Sequence, residues 1–208
     1  VAHIKPPMVE EEEERVAAAA SSTYETKAQK PPMQESDEAN KNQLEMAKAQ
    51  GDAYTSALEE MTKMEAHGAE KRVGHYFVGY AVEKAEGMYM PEDGKLAWRE
   101  PSADENVHLE IVVRDAVDGR FIPGLMVYAT VYASDGSEIG THHQPFLWHP
   151  WLFHYGRNWH VPSDGNYNLR VRVEMPSFGR HDKKNGNRFT GPVEVEFKNI
   201  QIQTGQKK

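Results

Sequence analysis

The residues best equipped for chemistry in this chain are its ten histidines, because it contains no cysteine to offer a thiolate. Any transition-metal site must then be assembled from His, Met and carboxylates, with no disulfide available to brace it. Two stretches stand out. In "VHLEIVV" (107–113), Val107, Leu109, Ile111 and Val113 alternate with His108 and Glu110. Extended backbone would therefore set an imidazole and a carboxylate on one face, about 6 to 7 Å apart along the strand. Such a pair can share an ion, or the carboxylate can orient the imidazole from behind; it is also what an ordinary solvent-facing polar pair looks like. In "WHPWLFHYGRNWH" (148–160), His149, His154 and His160 are set among Trp148, Trp151, Phe153, Tyr155 and Trp159. That stretch reads as a loop whose rings wall and dehydrate one histidine, the other two being hydrogen-bonded loop residues or ligands.

The elements that must position these groups occupy the second part of the chain. All four Trp, all seven Phe and seven of nine Tyr fall in residues 75–208. Residues 1–74 are acidic and poor in aromatics, so only the second part can bury a core. Period-two runs at 75–82, 106–113, 125–133, 166–175 and 192–203 are separated by turns such as "SDGS" and "PSDG". Several half-buried strands with no interleaved helix predict an all-β, immunoglobulin-like antiparallel β-sandwich over 75–208.

Before it lies an extended and helical arm, residues 1–74. The tetrad Lys-Pro-Pro-Met occurs at 5–8 and again at 30–33, and Glu10–Glu14 form an acidic run. Both favour extended, solvated backbone. From about 36 to 67, Leu44, Ala47, Tyr54, Leu58 and Met61 form one helical stripe. Ser36 or Asp37 is placed to cap its start and Gly68 to end it, while Gly51 weakens it by about 1 kcal/mol relative to Ala. Such an arm has too little apolar surface to order itself alone. It is expected to lie along a partner, as a homodimer or as a subunit of a larger assembly.

A net charge of −8 without a basic cluster argues against nucleic acid. No apolar run is long enough to span a bilayer. The first residues, Val1-Ala2-His3, carry no initiator Met, which raises the expectation of a removed export signal. No nucleophile elbow or phosphate loop is present, so a non-enzymatic protein is expected.

Four stretches in this order resemble the bacterial periplasmic iron-transport family, copper- and iron-binding proteins that work beside ferrous-iron permeases. They are "VHLEIVV" (107–113), "FIPGLMVYATV" (121–131), "HYGRN" (154–158), and "GNYNLRVRVEMP" with "FGRH" (165–176 and 178–181); "GMYMP" (87–91) fits less closely. The resemblance spans about 75–204, leaves the arm uncovered, and implies a dimeric immunoglobulin-like sandwich in the periplasm. It implies metal ligands at His108, His154 and His181, with Glu110 beside them and the site at or near a subunit interface. The metal would be copper or iron, with zinc as a further option. One departure matters: the family's methionine ligand, seven residues before the "HYG" histidine, falls on Leu147. His149, or His142 and His143, is the candidate replacement, which would harden the site toward Cu(II), zinc or iron; the site could equally have decayed.

Three functions follow as expectations. The first is an extracytoplasmic metal-binding protein that buffers or hands over copper or iron. The second is an accessory subunit of a larger membrane-attached complex, docked through its arm, with a degenerate metal site. The third, a sugar-binding sandwich, would need Trp148, Trp151 and Trp159 exposed together as a stacking surface.

Overall fold

The computed structural model describes residues 33–64 and 67–208. Both Lys-Pro-Pro-Met tetrads, Met33 apart, and the run Glu10–Glu14 lie outside them. One helix, α1 (Lys41–Met64), precedes eleven strands: β1 (His67–Val73), β2 (Tyr76–Glu83), β3 (Met88–Glu92), β4 (Lys95–Arg99), β5 (Val107–Asp115), β6 (Val127–Ala133), β7 (Glu138–Gln144), β8 (Phe146–Leu147), β9 (His154–Trp159), β10 (Gly165–Val173) and β11 (Val193–Ile202). They form a five-stranded sheet in the order β1-β2-β5-β9-β8, a four-stranded sheet in the order β11-β10-β6-β7, and the hairpin β3-β4. The strand pairs are antiparallel throughout. This is the all-β sandwich that the alternation predicts.

The core lies between the two large sheets and is built by that alternation. Val127, Ala129 and Val131 of β6 face Leu169, Val171 and Val173 of β10 in one buried cluster with Leu109, Ile111 and Val113 of β5. Each such Val, Leu or Ile side chain contributes roughly 1.5 to 3 kcal/mol by leaving water. Tyr155 anchors the 122–125 loop to this core: its hydroxyl donates to the Ile122 carbonyl (2.7 Å) and accepts from the Leu125 amide (3.0 Å).

Strand β5 is buried along its whole length, so both of its faces are covered. That replaces the solvent-facing reading of the His108–Glu110 pair. The outer face is covered by α1, where Met61 packs with Ala81 and Leu152, flanked by Tyr54, Ala57 and Leu58. A boundary drawn from composition at residue 74 falls inside a sheet, since β1 pairs with β2 from His67↔Val82 to Val73↔Tyr76. Residues 33–208 form one compact unit.

Helix α1 begins not at Ser36 or Asp37 but after Asn40. Asn40 Oδ1 accepts from the Gln43 amide (3.0 Å), and Gln43 Oε1 accepts from the Asn40 amide (2.9 Å), a reciprocal capping box. Ser36 is used elsewhere: its hydroxyl donates to Asp182 (2.8 Å), while Gln34 exchanges two bonds with Asn185 (2.8 Å each). Gly51 is where the helix meets the sheet's end turn, because a Cβ there would lie 1.7 Å from the Asp118 carbonyl oxygen. Thr55 then accepts from Arg114 (2.7 Å), whose guanidinium also clamps Glu70 bidentately. The surface on which the described part of the arm lies is thus the chain's own sandwich.

Candidate metal centre

Strands β5 and β9 pair with His108 opposite Asn158 and Glu110 opposite Gly156. Paired residues project to the same side, so His108, Glu110, His154, Gly156 and Asn158 share the face beneath α1. Tyr155 and Trp159, on alternate positions, enter the sandwich core. The segment expected to be a loop is therefore, from His154 on, strand β9. Its alternation escaped notice because the residues of its second face, His, Gly and Asn, build a site instead of an apolar stripe.

The two imidazoles have fixed tautomers. His154 Nδ1 lies 3.0 Å from the Leu152 carbonyl oxygen, which can only accept, so Nδ1 carries the hydrogen. For His108 the partner is Asn158 Oδ1 at 3.0 Å. The orientation of that amide is set by Glu86: Asn158 Nδ2 donates to the Glu86 carbonyl (2.8 Å) and Oδ1 accepts from the Glu86 amide (3.3 Å). His108 Nδ1 must then donate as well. In neutral imidazoles this leaves both Nε2 atoms as bare lone pairs.

Those lone pairs converge on carboxylate oxygen. His154 Nε2 is 3.3 Å, and His108 Nε2 4.0 Å, from Glu110 Oε1; Glu86 Oε1 is 3.8 Å from His108 Nε2. One donor atom from each of His108, Glu110 and His154 lies within 4.8 Å of the others. Neither Nε2 has a hydrogen bond among the described residues. Both rings are buried, and burial dominates their titration. It pushes His154 down to about 4, with the neighbouring imidazoles of His108 and His149 adding to the effect. It also lowers His108, against the opposing pull of Glu86. The close carboxylate does not convert His154 to imidazolium, so near neutral pH both Nε2 atoms offer lone pairs.

This donor set fits a metal ion. Two donors bound to one ion at about 2.1 Å stand roughly 3 to 4 Å apart, the range seen here. Gly156 preserves the gap: a Cβ there would lie 3.1 Å from His108 Nε2 and 3.2 Å from His154 Cδ2. A cavity of about 40 Å3 adjoins the set, lined by Glu83, Glu86, Glu110, His149 and His154. Met61, Trp151, Leu152 and Lys207 complete its wall.

His149 contributes a ring 5.9 Å from that of His154, with a buried Nδ1 that has no hydrogen bond among the described residues. His181 does not join: its side chain is 93 % exposed and pairs with Glu38 at 2.9 Å. The segment carrying it, 174–192, has no strand to hold it against β5 and β9. His142 and His143 lie on β7 in the other sheet, against Trp159 and Tyr128. They do not take the place of the missing methionine. His160 donates to the Asp104 carbonyl (2.7 Å), an ordinary loop contact.

The rings of the 148–160 stretch divide. Trp159 is buried in the core, whereas Trp148 is 73 % exposed and Trp151 and Phe153 are also exposed. They do not all wall the site, and no three-tryptophan platform forms.

Lys207 was not visible as a site residue. It reads as a polar tail, yet backbone bonds between Ala85 and both Gly205 and Lys207 draw it in. Its ammonium donates to Glu83 and, at 2.7 Å, to Glu86. Burial would lower its pKa, but these two bonds together raise it. Asn158 and Gly156 were equally silent, since their roles exist only in the β5–β9 register.

Comparison with known proteins agrees with this architecture. UPF0423 proteins of Brucella abortus and Brucella suis are 31% identical over 123 residues, 51% of this chain and 67% of theirs. The structure of FetP from uropathogenic E. coli strain F11, expressed in the E. coli periplasm, superposes with TM-score 0.55 at 22% identity, covering 67% of this chain and 96% of that one. The copper-reconstituted P19 protein of Campylobacter jejuni gives TM-score 0.55 at 20% identity, covering 69% and 98%. These structural likenesses establish the sandwich fold. Residues 68–203 match the model of the Fe2+ transport protein family, and the chain belongs to that family.

Proposed function

We propose that this protein binds a transition metal, copper or iron, outside the cytoplasm, and buffers it or hands it over. His108, His154 and Glu110 would hold the ion, with His149 in the wall of the adjoining cavity. The observation that carries this reading is the convergence of two buried Nε2 atoms, neither hydrogen-bonded among the described residues, on Glu110 Oε1 at 3.3 and 4.0 Å. A cation among these three donors would be ligated by all of them, and two imidazoles with a carboxylate suit Cu(II), Fe(II) and zinc. Likeness to copper-reconstituted P19 and membership of an iron-transport family support the metal class, and likeness to FetP, expressed in the periplasm, supports the extracytoplasmic location.

The test is a thermal titration. Metal-free protein given Cu2+ at 100 times Kd should gain about 2.7 kcal/mol of stability. His154→Ala should abolish the gain and His160→Ala should keep it; equal behaviour of the two variants would refute the assignment.

A second reading, an accessory subunit of a larger membrane-attached complex with a degenerate site, draws on one feature. Phe146, Trp148, Trp151 and Phe153 are all exposed; Phe146 and Phe153 are in contact, and Trp151 lines the cavity. Exposed apolar groups of this kind mark contact surfaces more often than chance. If Cu2+, Zn2+ and Fe2+ all leave the melting temperature unchanged, this reading replaces the first.

A further inference from the structure

Helix α1 lies outside residues 68–203, the span shared with the family, yet it brings a further donor to the cavity. Met61 is 5 % exposed and lines the same cavity as Glu110, His149 and His154. We propose that Met61 is a thioether ligand supplied by α1 from within the chain, and that it gives the centre its affinity for Cu(I). This rests on the metal-binding reading above.

The placement of Met61 is fixed by contacts one turn after another on the same helical stripe. Gly51 sits against the Asp118 carbonyl with no room for a side chain. Tyr54 donates its hydroxyl to the Phe153 carbonyl, one residue before His154, and stacks on Phe121 at 5.6 Å. Two turns beyond Tyr54, Met61 comes to the same face and packs with Ala81 and Leu152. Ala81 of β2 is the residue that pairs across from Glu110, so the methionine packs on the strand next to the ligand strand.

Chemistry distinguishes this residue from its neighbours. Without cysteine, a soft donor here must be methionine. Met46, Met90, Met126 and Met175 are exposed, and Met61 is the one buried methionine among the residues whose side chains are described. Leu147, which pairs with His154 across β8 and β9, has no donor atom to offer. A thioether with two imidazoles satisfies Cu(I), whereas Cu(II) draws chiefly on imidazole and carboxylate.

The experiment has two arms. In one, protein with isotope-labelled methionine methyl groups is titrated with Ag(I), a redox-silent stand-in for Cu(I), and followed by NMR. The Met61 methyl signal, identified by its loss in Met61→Leu, should move with one equivalent while the other methionine signals stay. In the other arm, Met61→Leu keeps the side-chain volume and the helix propensity. It should weaken Cu(I) binding about tenfold or more while changing Cu(II) binding less than about threefold. A stationary Met61 signal, or unchanged Cu(I) affinity, alongside metal binding that still depends on His154, would overturn the Met61 assignment alone. No binding of Cu(I), Ag(I) or Cu(II) to the wild-type protein would overturn both this and the reading beneath it.

Discussion

At the scale of single residues, the centre is governed by groups that would never touch a metal. The Leu152 carbonyl and the Asn158 amide, itself oriented by the Glu86 backbone, hold two imidazoles with their bare nitrogens turned inward. Burial keeps those nitrogens unprotonated, which has a consequence for the metal-free protein. Unfolded His154 takes up its proton near pH 6.5, folded His154 only near 4. Between those values the unfolded chain binds more protons, so stability is fully present above about pH 6.5 and is lost as pH falls toward 4. For His154 alone the loss is about 3 kcal/mol. Urea midpoints at pH 7 and pH 4.5 should therefore diverge more in the wild type than in His154→Gln; an equal drop would show that the ring is not buried neutral. Gly156 gives a second test. Its Cβ would press on His108 Nε2 at 3.1 Å. Gly156→Ala should cost about tenfold in metal affinity, as displacement of groups around a ligand commonly does, while near-wild-type titration would contradict the crowding.

At the scale of elements, α1 decides whether the site has a roof. Its docking tests packing against propensity at one residue. Gly51→Ala should stabilise an isolated helix by about 1 kcal/mol. In the folded protein the new Cβ would meet the Asp118 carbonyl at 1.7 Å. The helix must then lift, and a net loss of about 2 kcal/mol or more is expected in chemical denaturation. Asn40→Ala, which removes only the capping box, should cost about 1 kcal/mol. A stabilised Gly51→Ala protein would mean that α1 does not dock as described.

At the scale of the whole molecule, much of the sandwich was legible because its core strands alternate. The runs at 75–82, 106–113, 125–133, 166–175 and 192–203 emerge as β2, β5, β6, β10 and β11. Strand β1, "HGAEKRV", is an almost wholly exposed edge, so no apolar period announced it. Strand β9 was hidden because one of its faces is functional. His108 and Glu110 could be read from a two-residue spacing, and His154 from the resemblance. Asn158, Gly156, Met61 and Lys207 could not, since each acquires its role only when the register, the helix and the C-terminal bridge meet. His181 shows the converse: a motif match carried it to the site, while within one chain its side chain stands exposed beside Glu38.

The central claim is that β5 and β9 present His108, Glu110 and His154 to one ion, and copper-edge X-ray absorption of the protein loaded with one equivalent of Cu2+ tests it most directly. The account predicts the multiple-scattering signature of at least two imidazoles at about 2.0 Å, reduced in His154→Ala. An oxygen-only shell, or an imidazole signal indifferent to His154, would contradict it.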